Sequence, residues 1–184
     1  MLSPSFQFIT DGDEMYEKGN MVMYGPEGAC KITDIVEKSF HDKSGMKKYY
    51  VLESVSNLGA KIYVPCDSEA LTSRMNRILS YSEIKDILSS DRSYCEWIDD
   101  SRIRSRAFKD ILSSYDREKI IGLANLLCRV KAGRTHISKK LGTADEEILK
   151  KLKKILYSEL SLTVDITEEE IVPFILGDLE YKEK

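Results

Sequence analysis

Histidine is scarce in this chain of 184 residues: His41 and His136 are the only two, which nearly excludes a histidine-rich metal site. Cysteine is sparse as well. Cys30, Cys66, Cys95 and Cys128 lie far apart, with neither metal-ligand nor redox spacing, and the chain is too long to need a disulfide framework. They read as reduced thiols of a cytoplasmic protein. Long hydrophobic runs are missing too. The longest near-apolar stretch, Ile120 to Val130, is interrupted by Asn125 and Arg129 and falls far short of the roughly 20 residues of a membrane span. The opening segment, MLSPSFQFITDGDE, has neither the basic region nor the apolar core of a signal peptide. Residues 1–14 are therefore expected to be an extension without a fold of its own (a start-site artefact, a cloning scar or a floppy leader), with Met15 as a natural start.

Motifs of the common catalytic machineries are absent. There is no P-loop, no Gly-x-Gly-x-x-Gly, no Gly-x-Ser-x-Gly and no His-Glu-x-x-His. A cysteine–histidine nucleophile pair stays open, although nothing marks one cysteine over another. Asp99-Asp100 has two readings, a general-base pair or a solvated helix N-terminus, and the second is the commoner. The expectation is a binding module rather than an enzyme, with no cofactor and no metal.

What is present is a charge pattern and a change of period. The net charge of −3 is unevenly spread: residues 1–73 carry −4, residues 91–134 carry +3, residues 135–161 carry +2 and residues 162–184 carry −5. The basic excess is thus local, which allows a modest nucleic-acid footprint or a set of solvated helix faces. The first half reads as β. Met21–Tyr24, Ala29–Glu37, Tyr49–Val55 and Lys61–Val64 are short runs of β-formers, separated by Gly25-Pro26-Glu27-Gly28, a polar tip at His41–Gly45 and Asn57-Leu58-Gly59. Pro65 ends the last run, since proline cannot donate to a ladder. Four strands with tight turns predict a small bent sheet or SH3-like barrel.

The second half reads as helices: Tyr81–Ser90, Ser101–Leu112, Asp116–Val130 with Gly133 as C-cap, a helix opened by a capping box at Thr143-Ala-Asp-Glu146, and a last one opened at Thr167. On Ser101–Leu112 the apolar side is Ile103, Ala107, Phe108, Ile111 and Leu112. Arg102, Arg106 and Lys109 share the opposite side at i, i+4 and i+7, where they reach phosphates. Arg104 falls within the apolar side and is expected to be structural, snorkelling or paired with a carboxylate. Lys150, Lys153 and Lys154 form a secondary basic group. The expected class is α+β, with residues 15–73 as the β domain and residues 74–184 as an all-α helical domain.

Trp97, the only tryptophan, stands among polar neighbours, Cys95 and Glu96 before it and Asp99 and Asp100 after it. It is either a core residue or a partly exposed wedge able to unstack a base step. On the sheet, Lys61-Ile62-Tyr63-Val64 is the expected edge strand, open to pairing with a partner's strand through main-chain bonds.

Several motifs in order carry a resemblance: Lys18-Gly19-Asn20-Met21-Val22-Met23-Tyr24, Gly28, Ile32 and Ile35, Tyr49-Tyr50-Val51-Leu52, Val64-Pro65, Glu96-Trp97 and Ile155–Leu162. Together they resemble the CarD/CdnL family of bacterial transcription regulators, whose N-terminal module is shared with transcription-repair coupling factor. The resemblance spans residues 16 to about 176. It implies a Tudor-like N-terminal domain that docks on the RNA polymerase β subunit. It implies also a helical domain that contacts promoter DNA at the upstream edge of the bubble, with Trp97 as a minor-groove wedge holding the open complex. No cofactor is implied, and the implied location is the cytoplasm, on the nucleoid. Lys38 aligns with a basic residue the family sets against acidic polymerase side chains, while Tyr63 stands where some members carry arginine. Asn20 replaces the usual aspartate, Gly25-Pro26-Glu27 replaces a proline–x–histidine turn, and the segment Ile98–Ser101 is more acidic. The other reading of Gly19–Asp34 is a KOW-like element that binds RNA without polymerase; the acidic balance of residues 1–73 opposes it.

Overall fold

A computed structural model of the chain describes residues 7–8, 16–39, 45–57, 59–90, 94–135, 141–182 and 184. The chain forms two compact units, Met1–Ile78 and Leu79–Lys184, and each is described separately.

The first unit is a curled, half-closed sheet of strands β1 (Gln7–Phe8), β2 (Asn20–Tyr24), β3 (Ala29–Lys38), β4 (Lys47–Ser54), β5 (Lys61–Pro65) and β6 (Met75–Arg77), with a one-turn helix α1 (Glu69–Thr72) before β6. Strands β2 to β5 run as an antiparallel meander, and β6 pairs antiparallel with β2 beyond the short parallel β1. A register shift between Ile32 and Asp34 bulges β3 against β4 and strengthens the local bend. Alternate residues Val22, Cys30, Ile32, Tyr50, Leu52 and Val64 meet Met75 in the buried cluster, as the period of two dictates. Tyr16 ties the start of the domain to this core: its hydroxyl donates to Met75 O at 2.6 Å, and its ring stands edge-on to Tyr50. Between β2 and β3, Gly25–Glu27 makes one 3-10 turn, and Gly28 follows at φ 76°, ψ −146°, a conformation a side chain would strain. The buried Asn20 accepts from Glu17 N–H at 2.6 Å through its amide oxygen. An aspartate carboxylate would serve that turn equally well.

The sheet departs from the sequence reading in two places. A boundary at 73/74 would cut off β6, whose pairing with β2 places it in the first unit; three residues are too few for a periodic signal. Within residues 1–14, Gln7 and Phe8 pair with Asn20 and Met21, so that extension contributes a strand. The rest of that segment lies outside the described residues, as do residues 41–44 of the hairpin tip, Leu58 and His136.

The second unit is helical: α2 (Tyr81–Ser89), α3 (Ser101–Ser114), α4 (Arg117–Thr135), α5 (Thr143–Thr163) and α6 (Ile171–Leu176). Helix α4 buries Ile120, Ile121, Leu123, Ala124, Leu127 and Cys128, on more than one face, because α2, α3, α5 and α6 all pack against it. Helix α5 turns Ile148, Leu152, Ile155 and Leu156 inward. Three cap assignments need correcting. Gly133 lies inside α4, which runs on to Thr135. Helix α5 has Gly142 as its N-cap and no side-chain cap. Thr143 is therefore already helical, and Asp145 is engaged elsewhere. The capping box belongs instead to α2, where Ser80 Oγ accepts from Glu83 N–H and Glu83 accepts from Ser80 N–H. Helix α6 begins at Ile171, because Glu170 turns back to accept from Thr167 N–H and Oγ–H at 2.8 and 2.9 Å.

No helix among the described residues is long and apolar enough to cross a membrane.

Candidate functional site

Two surfaces carry the residues singled out above, one on each unit. In the helical unit the site grows from Asp100. Its carboxylate accepts from Arg102 N–H and Ile103 N–H, both at 2.9 Å, and so starts α3 immediately after the tryptophan segment. Asp99 accepts from Trp97 Nε1–H at 3.1 Å. Both acids of the 99–100 pair are thus employed within the fold, one as a helix cap and one as a partner of the indole.

Arg102, Arg106 and Lys109 are exposed on the outer side of α3. Among the described residues their side chains make no ion pair or hydrogen bond, so three cations stand free in one row. Ile103 departs from its expected place. It is 60% exposed and lies on the outer side with the arginines, because the buried stripe of α3 centres on Arg104 and Phe108. Lys150 and Lys154 are exposed one turn apart on α5, while Lys153 is half-buried.

Arg104 is buried and joins three elements. Its Nε and Nη2 donate to the two oxygens of the buried Asp145 at 3.2 and 2.9 Å, and Nη1 donates to Ile98 O and Asp99 O at 2.6 and 3.1 Å. Its guanidinium also lies 4.1 Å from the centre of the Trp97 ring. The half-buried indole meets Phe108 edge-on at 6.5 Å. Trp97 is therefore neither a core residue nor a loose one: it is a held aromatic at the mouth of α3. Next to it, an open groove of about 520 Å³ runs between Tyr94–Ile98 and α3, with Phe108 and Ile111 on its floor. Sequence reasoning left Arg104 snorkelling or paired with a carboxylate and could not identify Asp145, 41 residues away.

A second buried ion pair went unread. Glu159, fully buried on α5, pairs with Arg117 at the start of α4 and accepts from Leu79 N–H at 2.9 Å. Burial pushes its carboxyl up, and Arg117 opposes that push. The available signal was a lone carboxylate within the apolar run Ile155–Leu162.

Burial also governs the thiols. It pushes Cys30 up to about 12 and Cys95 and Cys128 up to about 11, and it raises Cys66. All four are protonated thiols near neutral pH, the unreactive form. Among the described residues no group of histidine, cysteine and carboxylate side chains is arranged to hold a metal ion.

On the first unit, β5 ends the sheet order and, among the described residues, pairs only with β4. Its Ile62 and Val64 turn toward the core, so they offer a partner their main chain rather than their side chains. Lys61 is exposed and Tyr63 half-buried. Lys38 reaches across from β3: its ammonium lies 3.4 Å from Tyr63 Oη and 4.7 Å from the ring centre. Tyr63 in turn meets Tyr49 edge-on. Lys38, Tyr49 and Tyr63 thus form one cross-strand group beside the open edge. The structure joins Lys38 of β3 to β5 through Tyr63.

Among curated proteins, no match to this chain is found. The family described as the CarD-like/TRCF RID domain matches residues 16–79, a span that takes in Tyr16, the meander β2 to β5, and β6. A domain of that kind carries a transcription-related, RNA polymerase-interacting role. The N-terminal unit of this chain, from Tyr16 to the end of its sheet, is a CarD-like/TRCF RID module.

Proposed function

We propose that the chain is a regulator of transcription initiation that bridges RNA polymerase and promoter DNA. The RID module docks on the polymerase β subunit through the β5 edge, with main-chain bonds from Lys61–Val64 supplying affinity and Lys38 facing acidic side chains of the partner. The helical unit meets the duplex at the upstream edge of the bubble. Arg102, Arg106 and Lys109 take phosphates there, and Trp97 offers its ring to the terminal base step, in the way apolar wedges hold minor-groove complexes. Reannealing is opposed, and the open complex lasts longer. No catalytic step and no cofactor enter.

The row of three free cations on α3, directly after the held tryptophan, carries this reading in a chain with a RID module. A row of that kind binds phosphate without reading sequence and weakens with salt. The minor groove offers only a degenerate code, so promoter preference follows shape.

The test measures the lifetime of promoter complexes after competitor challenge, with bacterial RNA polymerase and the full chain. The expected result is a longer lifetime, lost in Trp97→Ala although polymerase is still bound. A Trp97→Ala variant with full activity would overturn the wedge. Tight binding of structured RNA without affinity for polymerase would replace the whole reading with a KOW-like RNA module.

A further inference from the structure

Of the large apolar side chains that stay exposed among the described residues, Met46, Val55 and Ile103, only Ile103 belongs to the helical unit. It stands in the first turn of α3, after Arg102 and one turn before Arg106, and both arginines are free of ionic partners among the described residues. An isolated exposed aliphatic is ordinary. One set between two unpaired guanidinium groups is less so, since nothing among the described residues of the unit covers it and its neighbours attract a polyanion.

We propose that Ile103 is a second apolar contact to the duplex, pressed against the minor-groove edge of a base step while Arg102 and Arg106 hold the flanking phosphates. The proposal rests on the DNA reading above and adds to it a residue and a mode of contact. Trp97 is restrained: its N–H is given to Asp99, one face lies under Arg104, and its edge meets Phe108. Such a ring offers a stacking platform from where it stands, and deeper insertion would break those contacts. Ile103 has no such tether and is 60% open to solvent. Branched aliphatics serve as wedges at flexible steps in minor-groove proteins. The carboxylate nearest to this surface is Asp100, which is spent as the cap of α3 on Arg102 N–H and Ile103 N–H. Asp110, two turns on and also exposed, repels phosphate beyond Lys109.

The experiment uses the full chain with two probes at low salt, a blunt duplex and a forked duplex carrying 2-aminopurine at its first paired step. Ile103→Ala is expected to weaken binding to the fork about tenfold, the scale of one or two buried methylenes. It should also abolish the 2-aminopurine response and leave blunt-duplex binding unchanged, while Ile103→Met restores both fork signals. Arg106→Ala is expected to weaken both duplexes alike. Ile103→Ala behaving as wild type while Arg106→Ala binds weakly would overturn the Ile103 contact and keep the DNA surface. Equal weakening of fork and blunt duplex by Ile103→Ala would overturn contact at the step. No affinity of the wild-type chain for either duplex would overturn the DNA reading itself.

Discussion

Arg104 and Trp97 form a stacked pair: the guanidinium lies 4.1 Å from the centre of the indole while its fork is held by Asp145 on α5. The orientation of the sole tryptophan is thereby set from another helix, through a side chain that sits one turn inside α3.

Arg104→Lys keeps the charge but loses the planar fork and the stacking surface. The expected result is a folded protein whose tryptophan emission shifts to the red and is quenched more readily by acrylamide. Arg104→Ala leaves Asp145 buried without a cation and should cost about 3–5 kcal/mol of stability. Because Trp97 is the only tryptophan, the spectrum reports this site alone. Unchanged emission in Arg104→Lys would show that the ring is held by Phe108 without Arg104.

Each of Arg102, Arg106 and Lys109 contributes one phosphate contact in the proposed complex. Replacing any one by alanine should reduce the slope of log K against log[salt] by about 1, with little dependence on DNA sequence. Stability should be unaffected, since all three are exposed and unpaired among the described residues. Titrations at several salt concentrations read both quantities.

Arg117→Leu should be severely destabilising, by about 3–5 kcal/mol, because Glu159 would remain buried opposite an uncompensated site. Arg117→Leu combined with Glu159→Leu should recover much of that loss, since no charge then stays buried. Denaturant melts of the two variants give the comparison. A double variant no more stable than the single one would show that the bond from Leu79 N–H to Glu159 outweighs the ion pair.

The thiols predict an alkaline limit. Burial raises Cys30 to about 12 and Cys95 and Cys128 to about 11 in the folded chain, whereas an unfolded thiol titrates near 8.5. The unfolded chain therefore loses these protons first. The stabilisation they carry is fully present below about pH 8.5 and is lost as pH rises toward the folded values. Thermal melts should fall steadily between about pH 9 and pH 11. At pH 8 iodoacetamide should label Cys95 about 100-fold more slowly than a free cysteine. Labelling of native Cys95 at the free-thiol rate would show that the groove leaves it open.

Much of this architecture was legible from period and turn chemistry. Runs of β-formers between turn residues identified β2 to β5, and helical spacing of apolar residues identified α3, α4 and α5. What escaped had no local period. Strand β6 is three residues long and exists by pairing with β2, fifty residues earlier in the chain. Thr143 looked like a cap, but α5 begins one residue sooner and Asp145 serves Arg104. Ile103 was assigned to the apolar side because it is apolar. The helix rotates it outward, since the buried Arg104 occupies the stripe through its ion pair. At the candidate site, residue types and faces were readable, and tertiary partners such as Asp145 were not.

The sheet offers a partner its longest open row of hydrogen-bonding groups at β5. The outer rim of β2 is shared between β1 and β6, while β5 keeps an unpaired rim that ends at Pro65. A strand that joins there meets a surface of valence one. At the other end of the sheet, among the described residues, the strands outside β2 are β1 and β6, two and three residues long, too short to hold a second partner strand, so this module suits a single stoichiometric attachment and is a poor seed for stacking copy upon copy.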